Sequence, residues 1–424
     1  MSKKTFCFQP AEILLPDFDR VDGTRWSVIA CDQYTSEPDY WSSVGKLIGP
    51  APSTLRLMLP EIYLNERETR IPGIHDAMRE ALSSGLLVAH PSSMIYLERT
   101  QSDGRVRRGV IGAIDLENYD YTPDSLALIR ATERTVLERI PPRMEIRRGA
   151  ALETPHVMLL IDDPDRTVIE PLAGRSGTPI YDFDLMKNGG HVRGYELDRA
   201  EQSLLTDRLA ALITPEAICR RYDVPLAPML FAVGDGNHSL ASAKACYEEL
   251  KEQLGKKALT HPARYALCEV VNIHDPALDF EPIYRVLFNV RDPRAVIDAM
   301  KDYAGSLYDR IPEQRFTVLT AQEETEVVVP YPERQLTTAT LQYFLDVYTE
   351  RHPEVRLDYI HGEKNVRALV AGHPDRVGFL FSGMTKSDLF RTVLYDGSLP
   401  RKTFSMGNAD DKRFYLECRR LTEL

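Results

Sequence analysis

Within six consecutive positions, Gly234-Asp235-Gly236-Asn237-His238-Ser239, the chain places an acid, an amide, an imidazole and a hydroxyl, and brackets the acid with glycines. These groups serve acid–base chemistry, metal coordination and phosphate binding. The flanks give the loop a physical grammar. Pro228–Val233 is a compact apolar run that suits a buried strand, whereas Leu240, Ala243, Tyr247, Leu250 and Leu254 step by three and four, as one helix face requires. The first-turn N–H groups of such a helix lack internal partners and carry the positive end of its dipole. Gly234 and Gly236 allow unusual backbone angles and close approach. With Asn237 and Ser239, they form a seat for an anion, above all a phosphate. Asp235 could hold Mg²⁺ or accept a proton, and His238 could donate to phosphate or act as an acid or base. Asn237 or Asp235 is the expected N-cap. The same pattern also serves as a plain tight connection capped by aspartate. The loop is neither the GxxxxGK[ST] phosphate loop nor the GxGxxG dinucleotide fingerprint.

Other chemistry-bearing residues lie far off in sequence. Leu126, Ile129, Val136, Leu137 and Ile140 fit one helical face, which predicts a helix over 124–140 ended by Pro141-Pro142. Glu133 then falls near the buried side, as a general base or as an ion-pair partner of a neighbour such as Arg134. Asp32 follows the apolar run Trp26–Ala30, where an open sheet carries site residues or a turn former. Basic residues gather at Arg401-Lys402, Lys412-Arg413 and Arg419-Arg420, and Arg285 stands with them. They fold over a phosphate or form a solvated strand face, and the second reading is preferred for Arg419 and Arg420. His156, His191, His261, His274, His361 and His373 show no metal-ligand spacing, which argues against a dedicated zinc or iron site. Magnesium arriving with a nucleotide is the better expectation.

Residues of these kinds need a frame, and the bulk numbers describe one. The chain has 424 residues, with 52 basic and 63 acidic side chains and a net charge of −11. That balance argues against non-specific nucleic-acid binding and against an anionic membrane surface, while a small anionic ligand remains compatible. Six scattered cysteines form no CxxC pair and read as reduced thiols. Met1-Ser-Lys-Lys-Thr-Phe lacks the apolar run of a signal peptide, and the chain is expected to be cytoplasmic. Residues 1–70 read as short strands and ordered loops. Helices are expected near His75–Leu87, around Leu204–Leu212, and over Asp292–Ala304 and Gln335–His352. Strands are expected at Ser93–Glu98, Arg108–Asp115, His156–Ile161, His191–Glu196, Pro228–Val233, Arg264–His274, Glu326–Tyr331 and Val377–Phe381. The pattern predicts a mixed α/β (α+β) fold, divided near residue 200 into 1–200 and 201–424 or continuous across it.

The loop also resembles the Ala-Asp-Gly-His-His-Arg signature of the bacterial domain-of-unknown-function family 1015. Further stretches resemble the family in the same order: Arg108–Tyr119, Thr132-Glu133-Arg134-Thr135, Asp279–Arg285 and Gly397–Thr403. Ser239 stands where that signature has arginine, and Thr132 and Tyr284 stand where it has histidines. The signature is similar to that of free-serine kinases in the ParB/sulfiredoxin-like superfamily. The resemblance implies a ParB/sulfiredoxin-like core with a mixed sheet and elaborations. It implies a phosphotransferase-like enzyme with a nucleotide such as ATP or ADP, acting on a small polar metabolite such as serine or phosphoserine. In that enzyme Asp235, His238 and Glu133 would be catalytic. Gly234, Gly236, Asn237, Ser239, Arg134, Arg285 and Lys402 would bind phosphate, and Asp32 would stand nearby. A non-catalytic nucleotide-binding regulator and a phosphatase using the same pocket are the alternatives. The expected partner is a small phosphorylated ligand, with homodimerisation open.

Overall fold

A computed structural model of the chain describes residues 6–223, 227–306 and 312–422. Met1–Thr5, on which the signal-peptide expectation largely rests, lies outside the described residues. The chain is α/β and divides into two compact units. The first comprises Met1–Ala131, Thr135–Leu278 and Asn408–Leu424, and the second Thr132–Arg134 and Asp279–Gly407. The division expected near residue 200 falls inside the helix Arg199–Ala211 of the first unit. Among the described residues, no helix is long and apolar enough to cross a membrane.

The first unit is built on a mixed sheet. Its strands run in the order Tyr181–Asp184, His191–Glu196, Ile95–Thr100, Val106–Asp115, Tyr265–Asn272, Met158–Ile161, Phe231–Asp235, Ile129–Ala131 and Tyr119–Asp120. Phe8–Gln9 pairs along Val106–Asp115. Alternation along the strands feeds two cores. Ile95, Leu97 and Ile111 point to one, while Tyr96 and Val110 point to the other. The centre of the sheet changes direction: Met158–Ile161 runs parallel to Tyr265–Asn272 but antiparallel to Phe231–Asp235. That antiparallel register sets Met158 opposite Asp235, so the residues just before Met158 arrive beside the glycine loop.

The second unit is an antiparallel sheet in the order Glu324–Val329, Gln314–Leu319, Val377–Phe381, Phe280–Phe288 and Arg356–His361, with Phe404–Met406 extending along Phe280–Pro282. Helices Pro293–Ser306 and Thr337–Arg351 pack on one face through residues such as Val296, Ile297, Leu341 and Leu345, and Glu363–Val370 covers the other through Val366 and Val370.

Three expectations need correction. The helix over 124–140 does not form. Residues Ile129–Ala131 instead add a strand parallel to Phe231–Val233, and a 3-10 turn follows at Leu137–Arg139. Leu126 is 75% and Leu137 61% exposed while Ile129 and Ile140 are buried, so the apparent apolar stripe does not form one buried face. A free sheet edge beside Phe231 outweighs a helical preference already weakened by Thr132, Thr135 and Val136. Pro141-Pro142 accordingly starts a helix, Ile140–Arg147, because proline lacks only an N–H that the first turn leaves unpaired. Residues 1–70 carry more helix than strands and loops alone, with Pro38–Ile48 and the start of Arg67–Ser83. Finally, Arg419 is no solvated face. It is buried, its Nε donating to Glu153 at 2.6 Å and its Nη1 to the Pro262 carbonyl at 2.9 Å.

Candidate functional site

The glycine loop joins strand to helix as its sequence requires. Phe231–Asp235 ends where the helix Asn237–Leu254 begins. Gly236, at φ 81°, is the N-cap in place of Asn237 or Asp235. A side chain there would be strained by the backbone angle, and its Cβ would lie 3.1 Å from Val157 Cα. Asp235 instead turns Oδ1 back to accept from the Gly236 N–H at 2.9 Å, while Oδ2 faces Lys412 Nζ at 3.3 Å.

His238, expected as a phosphate donor or as an acid or base, is held as a neutral imidazole. Its Nε2 accepts the Val136 N–H at 3.3 Å, so the ring's one proton sits on Nδ1. Burial, reinforced by Arg143 and Arg139, pulls the imidazole down to about 4. At neutral pH its Nδ1–H is an uncharged hydrogen-bond donor.

Asp32 enters the same cluster from the other end of the chain. Strand Val28–Ile29 pairs with Phe414–Tyr415, which delivers the Asp32 loop and the C-terminal segment side by side. Tyr34 braces that loop. It holds a left-handed φ of 52°, donates its hydroxyl to Asp410, and stacks on Tyr40 at 3.8 Å between centroids. Asp32 Oδ2 lies 3.8 Å from His156 Nε2, and Oδ1 accepts from Gln33 Nε2 at 2.9 Å. Burial alone would raise its carboxyl, but His156, the Gln33 hydrogen bond and Lys412 together hold it below the ordinary carboxylate value. Buried His156 shares a 2.6 Å hydrogen bond with the Tyr415 hydroxyl through Nδ1 and lies 3.3 Å from Ser239 Oγ through Nε2. Asp32 and Ser239 therefore meet one nitrogen, unlike a serine–histidine–aspartate triad, whose acid and nucleophile use opposite nitrogens.

Asp32, Asp235, His238 and Ser239 thus gather with Gly234, Gly236 and Asn237 in the first unit. The remaining expected residues belong to the second unit, where they surround the turn at 399–402. Arg285 is fully buried. Its guanidinium donates to Gln342 Oε1 at 3.1 Å and to the carbonyls of Ile283, Lys402 and Arg401, and it lies 5.0 Å from the Tyr359 ring centroid. Burial pushes it down to about 10. Glu133 is not mid-helix but bridges Leu399, and the Arg134 N–H donates to the Leu399 carbonyl at 3.4 Å. Arg134 and Lys402 are exposed. The fixed donors of Arg285 mark it as a brace for that turn.

The sequence points to neither His156 nor Tyr415 as a site residue, and to Lys412 only as one member of a basic stretch. His156 carried no motif, only its place before a strand, and the antiparallel register that brings it to Gly236 is not written locally. Lys412 lay within a basic stretch and could have been singled out only by knowing that the C-terminal segment returns to Val28–Ile29.

Residues 15–348 match the model of a family described as a protein of unknown function, DUF1015. The chain belongs to that family. In sequence, no curated protein matches this DUF1015 member. Among solved structures, it is similar to a conserved hypothetical protein from Pyrococcus furiosus, at 13% identity and a TM-score of 0.34, covering 73% of this chain and 94% of that one. A free serine kinase in complex with AMP matches at 12% identity and a TM-score of 0.37, over 73% of this chain and 90% of its own. SbnI from Staphylococcus aureus, truncated at its C-terminus, matches at 10% and 0.33, over 70% and 83%.

Proposed function

We propose that the first unit is a phosphotransferase-like enzyme, with the loop 234–239 seating phosphate and Asp32 accepting the proton of the group that is phosphorylated. The observation that carries this reading is the meeting of a depressed carboxylate at Asp32, a cation at Lys412 and a glycine-capped helix N-terminus in one half-buried cluster. Phosphoryl transfer asks for little covalent chemistry from a protein. It asks for positioning and for charge placed where the transferring group develops it.

The first-turn N–H groups at Asn237–Ser239, the His238 Nδ1–H and Lys412 would surround the phosphate oxygens. An acceptor hydroxyl attacks phosphorus as the bond to the leaving nucleotide breaks, and its proton passes to Asp32. A carboxylate of low basicity suffices, because the hydroxyl proton is lost late in a loose transition state. His156, fixed by Tyr415, orients Asp32, and Asp235 orients Lys412. Among the described residues no group of three histidine, cysteine, aspartate or glutamate side chains could hold a metal by itself. Magnesium arriving with a nucleotide would be held by the phosphates and by one or two carboxylates, here Asp235 and Asp32, and would supply charge neutralisation to the transferring group.

The nucleotide, as ATP or ADP, and a small hydroxyl acceptor such as serine are the substrates to try. Phosphorus NMR of the protein mixed with each nucleotide and a panel of hydroxyl metabolites is the test. A new phosphate ester is the expected result. Nucleotide binding with no ester would overturn the reading in favour of a binding switch, and inorganic phosphate released from a phosphorylated metabolite would mark a phosphatase.

A further inference from the structure

Next to the Asp32 cluster the first unit holds a partly open cavity of about 150 Å³ that the chemistry above does not use. It shares His156, Ser239 and Tyr415 with that cluster, and Leu57, Leu59, Met78, Ile146, Leu152 and Leu267 make up much of its apolar wall. Leu57 and Leu59 come from the ordered segment after Pro52, Met78 from the helix Arg67–Ser83 and Leu267 from the central strand, so the walls are core elements. Protein cores are close-packed and rarely leave such a volume unfilled. A cavity of about 150 Å³ is large enough to admit a benzene-sized group.

Charge on the walls is matched. Arg143 pairs with Glu61, and Arg147 lies 2.6 Å from Glu153, which also receives Arg419 at 2.6 Å and the Leu267 N–H at 2.9 Å. The Ser242 hydroxyl is committed to the His238 carbonyl at 2.7 Å. A carboxylate or phosphate moving inward would meet cations already neutralised. An adenine would bury ring nitrogens against leucine and methionine, which is unfavourable without partners.

We infer that this cavity is a subsite for an uncharged apolar group of about benzene size, carried by the acceptor whose hydroxyl reaches Asp32. The inference rests on the phosphotransferase reading only for the word acceptor. The cavity's preference for such a group stands apart from turnover. It departs from serine as the natural acceptor, because a side chain that small would leave the interior empty.

The test uses the full chain with benzene and indole as probes, followed by ligand-detected NMR and by the melting temperature. Saturable binding of at least one is expected, and it should be lost in Ala150→Leu and in Met78→Trp, which fill the cavity from separate walls. Two variants guard against one that fails to fold, and each must keep the cooperative melting of the parent. Absence of saturable binding, survival of binding in both folded variants, or stronger binding of adenine than of either probe would overturn the inference. If the enzyme transfers phosphate, hydroxyl acceptors bearing a phenyl or branched alkyl group should exceed serine in kcat/KM by roughly ten- to two-hundredfold, the scale on which apolar pockets discriminate. Serine phosphorylation without probe binding would sink the subsite and leave the transferase. Probe binding without any phosphorylation would do the reverse.

Discussion

Lys412 and Arg413 are neighbours in the chain, yet they serve two charged clusters of opposite character. Arg413 enters a closed network in the first unit. It lies 2.7 Å from Glu269 and also pairs with Glu417, while Arg107 approaches Glu269 at 3.3 Å and the Tyr181 hydroxyl donates to Glu417 at 2.8 Å. Glu269 has 0% side-chain exposure. Burial would raise its carboxyl, but Arg107 and Arg413 hold it below its ordinary value. Nearby Arg99, pushed down by burial to about 9, spends a donor on the Asp410 carbonyl at 3.1 Å. Lys412 enters an open cluster. The Lys412 and Asp235 side chains remain 15% and 19% exposed, and Asp32 faces His156, which lines the neighbouring cavity. Both clusters perturb their groups. What separates a brace from a site is whether the perturbed group keeps capacity for an incoming partner.

The comparison breaks first at Glu269. Glu269→Gln strips a buried counter-charge from two arginines and should cost about 3–5 kcal/mol of stability, read from denaturant unfolding. A loss below about 1 kcal/mol would mean that the network is not structural. Asp32→Asn should weigh the other way. It should cost only the modest stability that its lowered carboxyl contributes, well below the loss at Glu269, while lowering phosphotransfer by roughly a hundredfold or more. Asp235→Asn is the sharper probe of the same cluster, since it removes the charge opposite Lys412. Turnover should drop by about ten- to hundredfold, in keeping with the loss of one charge-assisted contact. Loss of stability without loss of turnover in either variant would move the open cluster into the same class as Glu269.

The smallest effect is a slope against pH. His238 is held at about 4 against an ordinary imidazole value of 6.5. Between those values the unfolded chain binds more protons than the folded one, so stability falls as pH drops from 6.5 to 4. His238→Asn should flatten that part of the curve, measured by unfolding at fixed salt. The lowered Asp32 carboxyl acts in a separate, more acidic window: its contribution is present above the ordinary carboxylate value and is lost below it. An unchanged slope in the His238 variant would contradict the neutral, buried imidazole.

The glycine loop was legible in the sequence because its determinants are local. An apolar run, two glycines and a three-four repeat dictate strand, turn and helix without reference to anything else. The same local reasoning misread 124–140, where Leu126 and Leu137 mimic a stripe but a sheet edge decides the outcome. Asp32 could be named as a strand-end acid, yet nothing near it encodes His156 or Lys412. Their convergence depends on the antiparallel pairing of Met158–Leu160 with Ala232–Asp235, and of Val28–Ile29 with Phe414–Tyr415. Arg285 shows the converse. A basic residue in a suggestive stretch proved to be committed to backbone carbonyls, and only burial and partners reveal that.

The return of the segment from Asn408 onward to the first unit has a consequence in time. A ribosome adds Lys412, Arg413, Tyr415 and Arg419 long after their partners Asp235, Glu269, His156 and Glu153. A nascent chain that has not reached this segment would hold Glu269 and Glu153 in the first unit short of their cations, and would have no ammonium at the glycine loop. Maturation of the cluster is therefore coupled to synthesis of the returning segment, and the long sequence separation of these contacts makes their closure a late and slow step in folding. A polypeptide released before that point would lack the arginine that closes the network at Glu269 and the ammonium that faces Asp235.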